Sequence, residues 1–240
     1  MQKKSLKKSI ILSVLFFLPV LFLLFLYPSK HNYNPLDIVE KNIENVLSFK
    51  SENGTDINLK DNITVLGFFG NNTLEQSTAA SNLKELIYEK FKGFKRFQVL
   101  ILVPEGSQNQ VAELRKELLR YDELKYWHFA YGNPNNISRV FNSLKADNVS
   151  LNKNHASSHV FIVDKDLNQR GRIDDRTEGQ IEANKPIYSM TSYNCVEVAE
   201  LKNKMSEDMR ILFTEYRQKR KGNFDSSSRR ADDIKTDEKN

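Results

Sequence analysis

One cysteine and four histidines are the residues of this sequence best suited to redox or metal chemistry. The single cysteine, Cys195, cannot form an internal disulfide, so its thiol is either buried or paired with another molecule. A reactive thiol needs a depressed pKa, which a position just before a helix helps to supply. Because free cysteines are mostly buried, we interpret Cys195 as a small apolar residue at the start of a packed helix.

Two histidines, His155 and His159, stand four residues apart ahead of an apolar segment. A metal site built on this pair needs at least a third ligand, for which His128 is a candidate. Exposed or hydrogen-bonded histidines are the usual finding in proteins. We therefore predict no resident cofactor, and copper at His155 and His159 is only a secondary hypothesis.

The segment from Asp164 to Asn168 has the oxygen-ligand spacing that opens a calcium-binding loop. Such a loop requires glycine at its sixth position and a bidentate glutamate at its twelfth, but the sequence has Gln169 and Asp175 there. A polar turn between two strands explains the same residues. We predict the turn and no calcium site.

Composition argues against two classes of function. Residues 1–9 carry four lysines and residues 217–240 carry a net charge of +3, so the rest of the chain is near neutral although the whole has +5. Nucleic-acid binding needs a basic folded surface and is not expected. No nucleophile–base pair or phosphate-binding glycine loop is present, so we do not expect an enzyme.

Residues 10–27 form an apolar segment interrupted only by Ser13 and Pro19. At ~1.5 Å per residue, a helix of this length is close to what the ~30 Å hydrocarbon layer requires. Four lysines precede it, which keeps the amino terminus in the cytoplasm and the domain on the periplasmic or extracytoplasmic side. Because no A-x-A-like cleavage site follows, the segment predicts an uncleaved transmembrane signal-anchor.

The remaining chain divides by composition. We predict a cytoplasmic basic tail at 1–9, the anchor at 10–27, a polar stalk at 28–46, one domain at 47–221 and a disordered tail at 222–240. The pair Asn53-Gly54 favours a tight hairpin turn at the start of the domain, between strands near 47–51 and 56–59.

Hydrophobic periodicity predicts alternating strands and helices across the domain. The strands fall at 63–69, 97–103, 126–130, 160–163 and 169–173, and the helices begin near residues 78, 111, 137 and 198. Strands apolar on both faces belong in a sheet covered on both sides. This order predicts an α/β, thioredoxin-like mixed sheet with helices on both faces.

The final helix ends in a basic run, 217–221, which suits a helix carboxyl terminus or an anionic lipid surface.

Several sequence elements in this order resemble the Sco/SenC family over about residues 49–173. They are Val65-Leu-Gly-Phe-Phe-Gly70, Val103-Pro104-Glu105, Trp127-His-Phe-Ala-Tyr-Gly132, and His155-Ala-Ser-Ser followed by Val160-Phe-Ile-Val-Asp-Lys-Asp166. The resemblance implies a thioredoxin-like fold tethered to a respiratory membrane. It also implies copper delivery to, or thiol reduction of, cytochrome c oxidase during assembly.

The sequence departs from this family at the residues that carry the chemistry. The family's Cys-x-x-x-Cys positions fall at Asn72 and Gln76, and amides neither hold Cu(I) as thiolates do nor form disulfides. His159 stands where thioredoxin-type oxidoreductases have a proline, and the family's copper-binding histidine corresponds to His155 or His159. We therefore predict a non-catalytic relative that binds a protein partner as an accessory factor in cytochrome oxidase assembly. The alternatives are a histidine-based copper carrier without thiols and a structural envelope protein with no respiratory role.

Overall fold

The computed structural model describes residues 35–52, 54, 56–119 and 124–220, together with one amino-terminal helix. This helix, α1, covers Gln2–Leu26, and its side chains are described for residues 11–25. The chain divides into two compact units at residue 34. The basic side chains of the predicted tail 1–9 and the whole of the predicted tail 222–240 lie outside the described residues.

Helix α1 overlaps the predicted anchor at residues 10–27 and contains Pro19 in its interior. Its described side chains are exposed and almost all apolar. Among the residues that the structure describes, no helix combines the length and the apolar character needed to cross a membrane.

The second unit is built on one mixed sheet of eight strands. The strands are β1 (Asp37–Glu40), β2 (Lys50–Ser51), β3 (Ile63–Phe69), β4 (Phe97–Pro104), β5 (Trp127–Gly132), β6 (Ala156–Val163), β7 (Gln169–Gly171) and β8 (Tyr193–Asn194). Their order is β1-β7-β6-β3-β4-β5-β2, with β8 on β6. The pairs β3–β4 and β4–β5 are parallel and the others antiparallel. The predicted mixed sheet is confirmed.

Helices cover both faces of the sheet. The segment after β3 begins as a 3-10 turn (Thr73–Gln76) and continues through α2 (Ser77–Leu83), a π-helical stretch (Lys84–Tyr88) and α3 (Glu89–Phe91). The others are α4 (Gln108–Leu118), α5 (Pro134–Asn142), α6 (Glu178–Glu182) and, after a second π-helical stretch (Glu200–Met205), α7 (Ser206–Arg220). The segment 77–91, α4 and α7 cover one apolar cluster, and α5 covers the other. Every residue of β3 and β4 is therefore buried.

The predicted stalk at 28–46 is wrong for its second half; residues 28–34 lie outside the described part of the chain. Strand β1 pairs with β7, and the side chains of Leu36, Ile43 and Val46 are buried. These apolar residues are spaced too irregularly to predict a strand, but Ile43 and Val46 belong to the apolar cluster beneath α5. The domain therefore begins near residue 35.

The predicted hairpin around Asn53-Gly54 does not form in the described residues. Strand β2 pairs instead with β5, and residues 56–59 are not in a strand. Ile57 and Leu59 are buried in the core, so burial of these side chains outweighs the local turn preference. Gly54 still donates its N–H to the carbonyl of Ser51 at 3.1 Å.

A buried ionic cluster joins the edge of the sheet to the last helix. Arg170 on β7 donates to Asp164 at 3.0 Å and to Glu215 of α7 at 2.5 Å, and all three side chains are at most 3% exposed. Arg170 also donates to the carbonyl of Leu36 at 2.5 Å. Burial disfavours the Arg170 charge, but Glu215 and Asp164 outweigh it and raise its pKa. One guanidinium thus connects β1, the β6–β7 turn and α7.

Replacing Arg170 with methionine should lower the free energy of unfolding by about 3–5 kcal/mol, because two buried carboxylates lose their counter-ion. The measurement is urea denaturation followed by the fluorescence of Trp127, the single tryptophan, which is buried.

The matched control is Arg139→Met, which breaks an ion pair with Glu44 whose side chains are 65% and 45% exposed. An exposed pair contributes less than about 1 kcal/mol. Equal losses for the two variants would show that Arg170 has no special role.

Candidate functional site

The candidate site lies where β3 and β4 end. These strands are parallel, so their carboxyl ends meet at one edge of the sheet, where ligand sites commonly form in α/β proteins. The turn after β3 carries Asn72 and Gln76, the two positions that the resemblance assigns to the redox cysteines. Asn72 is exposed and donates its side-chain amide to Glu75 at 2.7 Å. Gln76 is half-buried and directly precedes α2.

Gly70 fixes the path of this turn. It has a φ of +67°, and a Cβ atom there would lie 2.3 Å from the carbonyl oxygen of Asn154. The next residue, Asn71, donates its N–H to that same carbonyl at 3.2 Å. Only glycine fits this approach, so the strand-end turn and the loop before β6 form one surface.

His155 lies in that neighbouring loop. Its φ is +58°, and its N–H donates to the carbonyl of Asn152 at 2.9 Å. The loop geometry therefore places His155 beside the turn containing Asn71 and Asn72.

His159 lies further along β6, at an irregularity in its pairing with β3, and is paired with Asn194 of β8. The ring is half-buried, and its Nδ1 is 3.5 Å from the hydroxyl of Ser158. Burial lowers the pKa of His159, and Glu200 partly opposes that shift. The ring lines an open cavity of about 640 Å³ together with Glu200, Lys204 and Asp175.

The three histidines do not converge on one point. Four residues of extended backbone put His155 and His159 roughly 10–13 Å apart along the chain. His128 lies on β5, three strand spacings from β6, or about 14 Å. No group of three histidine, cysteine or acidic side chains with metal-site geometry occurs in the described part of the chain. The residues at this edge therefore do not fit a copper site with three protein ligands.

The residues considered for calcium have other partners. The carboxylate of Asp164 is buried and accepts from the N–H groups of Asp166 and Asn168 at 2.9 and 3.0 Å, and from Arg170. Asp175 pairs with Arg172 and Lys204. The predicted polar turn between β6 and β7 is confirmed, although its first carboxylate is buried rather than solvated.

Cys195 is fully buried in the larger apolar cluster, as predicted. Its N–H donates to the carbonyl of Ser158 at 2.8 Å, and its own carbonyl accepts from the Asn82 side chain at 3.0 Å. Burial, together with the nearby Glu200 charge, raises the pKa of the Cys195 thiol far above its ordinary value. The thiol lies in the core and not on the strand-end surface.

Two buried hydroxyl groups at the site were not predicted from the sequence. Thr73 begins the 3-10 turn and Ser107 precedes α4, and these two segments pack against each other. Both hydroxyls are buried without a hydrogen-bond partner in the described structure. A hydroxyl residue three or four positions after each buried strand is the only signal that the sequence offers for them.

Comparisons with known proteins identify the fold. No protein-family model matches the sequence, and no curated protein matches it. Among solved structures, it is similar to BsSco, described as a member of the Sco family of cytochrome c oxidase assembly proteins. That match has a TM-score of 0.51 and 14% identity, and covers 75% of this chain and 97% of the other.

Two further matches are more distant. A putative electron transfer protein from Aquifex aeolicus has a TM-score of 0.46 at 12% identity, over 75% of this chain and 98% of the other. The structure of Arabidopsis thaliana ScoI with copper bound has a TM-score of 0.43 at 13% identity, over 70% of this chain and 99% of the other. The predicted thioredoxin-like fold, as found in Sco proteins, is confirmed by the BsSco match.

We predict that Gly70→Ala destabilises the domain by more than about 1 kcal/mol, because a side chain is strained at positive φ and also meets the Asn154 carbonyl. Urea denaturation measures the loss. Gly93→Ala is the control, since a Cβ atom there meets nothing within 4 Å. A Gly70→Ala variant as stable as the Gly93→Ala variant would contradict this account of the turn.

We also predict that Cys195 resists alkylation in the folded protein, at neutral pH and at pH 9, and reacts once urea unfolds the chain. Burial and the raised thiol pKa both disfavour the reactive thiolate. Mass spectrometry after iodoacetamide treatment measures this. A Val196→Cys variant provides the control, since Val196 is 50% exposed; its new thiol should react at once, and equal rates for both thiols would refute the prediction.

Proposed function

We propose that this protein is a membrane-anchored, non-catalytic relative of the Sco/SenC group that acts by binding. Its role would be that of an accessory factor in the assembly of a respiratory complex, with cytochrome oxidase as the expected client. Support for the client comes from the Sco-like fold and from the description of BsSco as a cytochrome c oxidase assembly protein. The step from fold to client is an analogy.

The observation that carries the proposal is the chemistry of the strand-end turn. The positions matched to the redox cysteines hold the amides of Asn72 and Gln76, and the one thiol of the chain is buried at Cys195. An amide cannot exchange electrons with a disulfide or supply a soft thiolate for Cu(I). It does donate and accept hydrogen bonds, which suits recognition of a protein surface.

The exposed part of this turn supplies a small polar surface. Asn71, Asn72 and Glu75 are exposed, and Gly70 holds them against the loop that carries His155. The turn is braced by its own Asn72–Glu75 hydrogen bond. A partner that hydrogen-bonds to these groups would meet a surface that is already ordered, which reduces the entropic cost of binding.

The anchor forms part of the proposal. Residues 10–27 extend beyond those whose side chains the structure describes, and the sequence supports a signal-anchor with a cytoplasmic amino terminus. The domain would then lie on the extracytoplasmic side of the membrane.

Deletion of the gene should reduce the amount of assembled cytochrome oxidase, measured from haem absorption spectra of isolated membranes. A wild-type copy should restore the complex, and a Cys195→Ala copy should restore it equally well because no thiol takes part. Unchanged oxidase and unchanged membrane partners after deletion would refute the assembly role. A stable Cys195→Ala protein that fails to complement would instead indicate thiol chemistry.

The partner surface is tested by placing a photo-crosslinking residue at Asn72 in the anchored protein. A matched control places the same residue at Lys116, an exposed position of α4. Crosslinks to an oxidase subunit from position 72 and not from position 116 are expected. Products containing only abundant envelope proteins would favour the alternative of a structural envelope protein.

Copper carriage by histidines remains the second hypothesis from the sequence, and it makes a separate prediction. Because the three histidines are far apart, titration of the protein with Cu(I) and Cu(II) should show no tight stoichiometric binding beyond that of a His155→Ala, His159→Ala variant. Tight binding lost in that variant would overturn the prediction and assign copper as cargo.

A further inference from the structure

Basic side chains collect at the edge of the sheet opposite the candidate site. This edge contains the starts of β3 and β4, the β6–β7 turn and the end of α7. Asp61 donates its N–H to the carbonyl of Lys165 at 3.0 Å, and Ile63 donates its N–H to Arg96 at 2.8 Å, so the segments adjoin. We call their basic side chains the basic edge; they are Lys60, Lys95, Arg96, Lys165, Arg217, Lys219 and Arg220.

Tyr216 holds two of these cations in place. The Lys165 ammonium lies 4.9 Å from the centre of the Tyr216 ring, and the Lys219 ammonium lies 5.2 Å from it. The acidic groups that face Lys165 are Asp61 and Asp166, and the basic groups are Arg96 and Arg220. Burial first, and then the two arginines, lower the pKa of Lys165 against the pull of both carboxylates. The seven basic side chains of the basic edge outnumber these two carboxylates, so the edge carries an excess of positive charge.

The end of α7 is also close to the point where the chain enters the domain. A continuous path of contacts runs from the Leu36 carbonyl to Arg170 at 2.5 Å, from Arg170 to Glu215 at 2.5 Å, and from Glu215 to Lys219 at 2.7 Å. Only residues 27–34 separate the start of the domain from the end of α1. Eight residues span at most about 28 Å, so the tether to the proposed anchor is short.

The opposite edge differs in charge. Strand β4 has eight residues, so its carboxyl end lies about 26 Å from Arg96. Exposed groups there include the amide of Asn72 and the carboxylates of Glu75 and Glu105, beside the exposed cation Lys153 in the adjoining loop. Charge is thus separated along the strands, with the basic end on the side of α7 and the candidate site at the other end.

We propose that the basic edge docks on anionic lipid headgroups of the membrane that holds the anchor, so that the strand-end turn points away from the lipid toward a partner. The inference rests on the proposed anchor. Each basic residue near an anionic surface favours the docked state by about fivefold, and salt screens the effect. A cluster of this size therefore suffices to orient a domain that is already tethered.

The test uses the full chain inserted in vesicles, with a fluorescent label on Gln218→Cys or, as the positional control, on Glu105→Cys at the other edge. The buried Cys195 thiol stays unlabelled. Vesicles contain phosphatidylcholine alone or with about one quarter phosphatidylglycerol, and both carry headgroup spin-labelled lipid as quencher. We expect strong quenching at position 218 in anionic vesicles only, loss of quenching in about 1 M salt, and little quenching at position 105 throughout.

The charge test compares Arg217→Glu, Arg220→Glu with a matched control, Lys116→Glu, Lys153→Glu, whose side chains are exposed elsewhere on the domain. The first pair should weaken quenching at position 218 by about tenfold or more, whereas the control pair should leave it unchanged. Circular dichroism of each variant confirms that it is folded.

The outcomes separate the two proposals. Lipid docking alone is overturned if the chain inserts and position 218 is quenched equally in neutral vesicles, or is not quenched in anionic ones. An acidic protein would then be the expected partner of the basic edge. A chain that fails to insert in vesicles overturns the anchor in the proposed function and this inference with it.

Discussion

The guanidinium of Arg170 is the contact on which the arrangement of the domain's edge depends. It lies between two buried carboxylates and also donates to the carbonyl of Leu36, the residue before β1. Removing three charges from water is costly, and their attraction offsets that cost only when the geometry is complete. The cluster therefore joins the residue before β1, the β6–β7 turn and α7 through one buried side chain.

A second ionic group reinforces the same helix. Arg172 pairs with Asp208 of α7 at 2.7 Å, and the Tyr193 hydroxyl donates to that carboxylate at 2.7 Å. Burial raises the pKa of Asp208, and the hydrogen bonds from Arg172 and Tyr193 oppose that shift. Helix α7 is thus held at two points along its length, by the ion pair of Glu215 with Arg170 and by that of Asp208 with Arg172. Beyond them, Arg217 and Arg220 at the end of the helix are exposed.

The framework of the candidate site is built without any contribution from a thiol. The strand-end turn is held by the parallel pairing of β3 and β4 and by the close approach of Gly70 to Asn154, and neither contact involves a thiol. The side chains on that turn are therefore free to change chemistry. Under the proposed function, the amides of Asn72 and Gln76 would bind a partner through hydrogen bonds.

The sequence by itself determined the buried strands, the helices between them and the fold class. Apolar periodicity and continuous apolar runs are local signals, and the burial of β3 and β4 followed them. The burial of Cys195 followed the usual burial of free cysteines. The resemblance in ordered short motifs also located the turn with Asn72 and Gln76. The predicted hairpin at Asn53-Gly54 and the predicted stalk reaching residue 46 were wrong. In both places the chain pairs with a strand that is distant in sequence, β5 for β2 and β7 for β1.

Only the tertiary structure decided what lies next to what. The partner of β1 is β7, more than a hundred residues away, and Arg170 meets Glu215, 45 residues further along the chain. The same applies to the histidines, whose spacing favoured a pair, whereas the strand order puts His128 on a different part of the sheet from His159. Strand order and ion pairing are long-range choices, made by the free energy of burying the whole sheet, and no local pattern in the sequence encodes them.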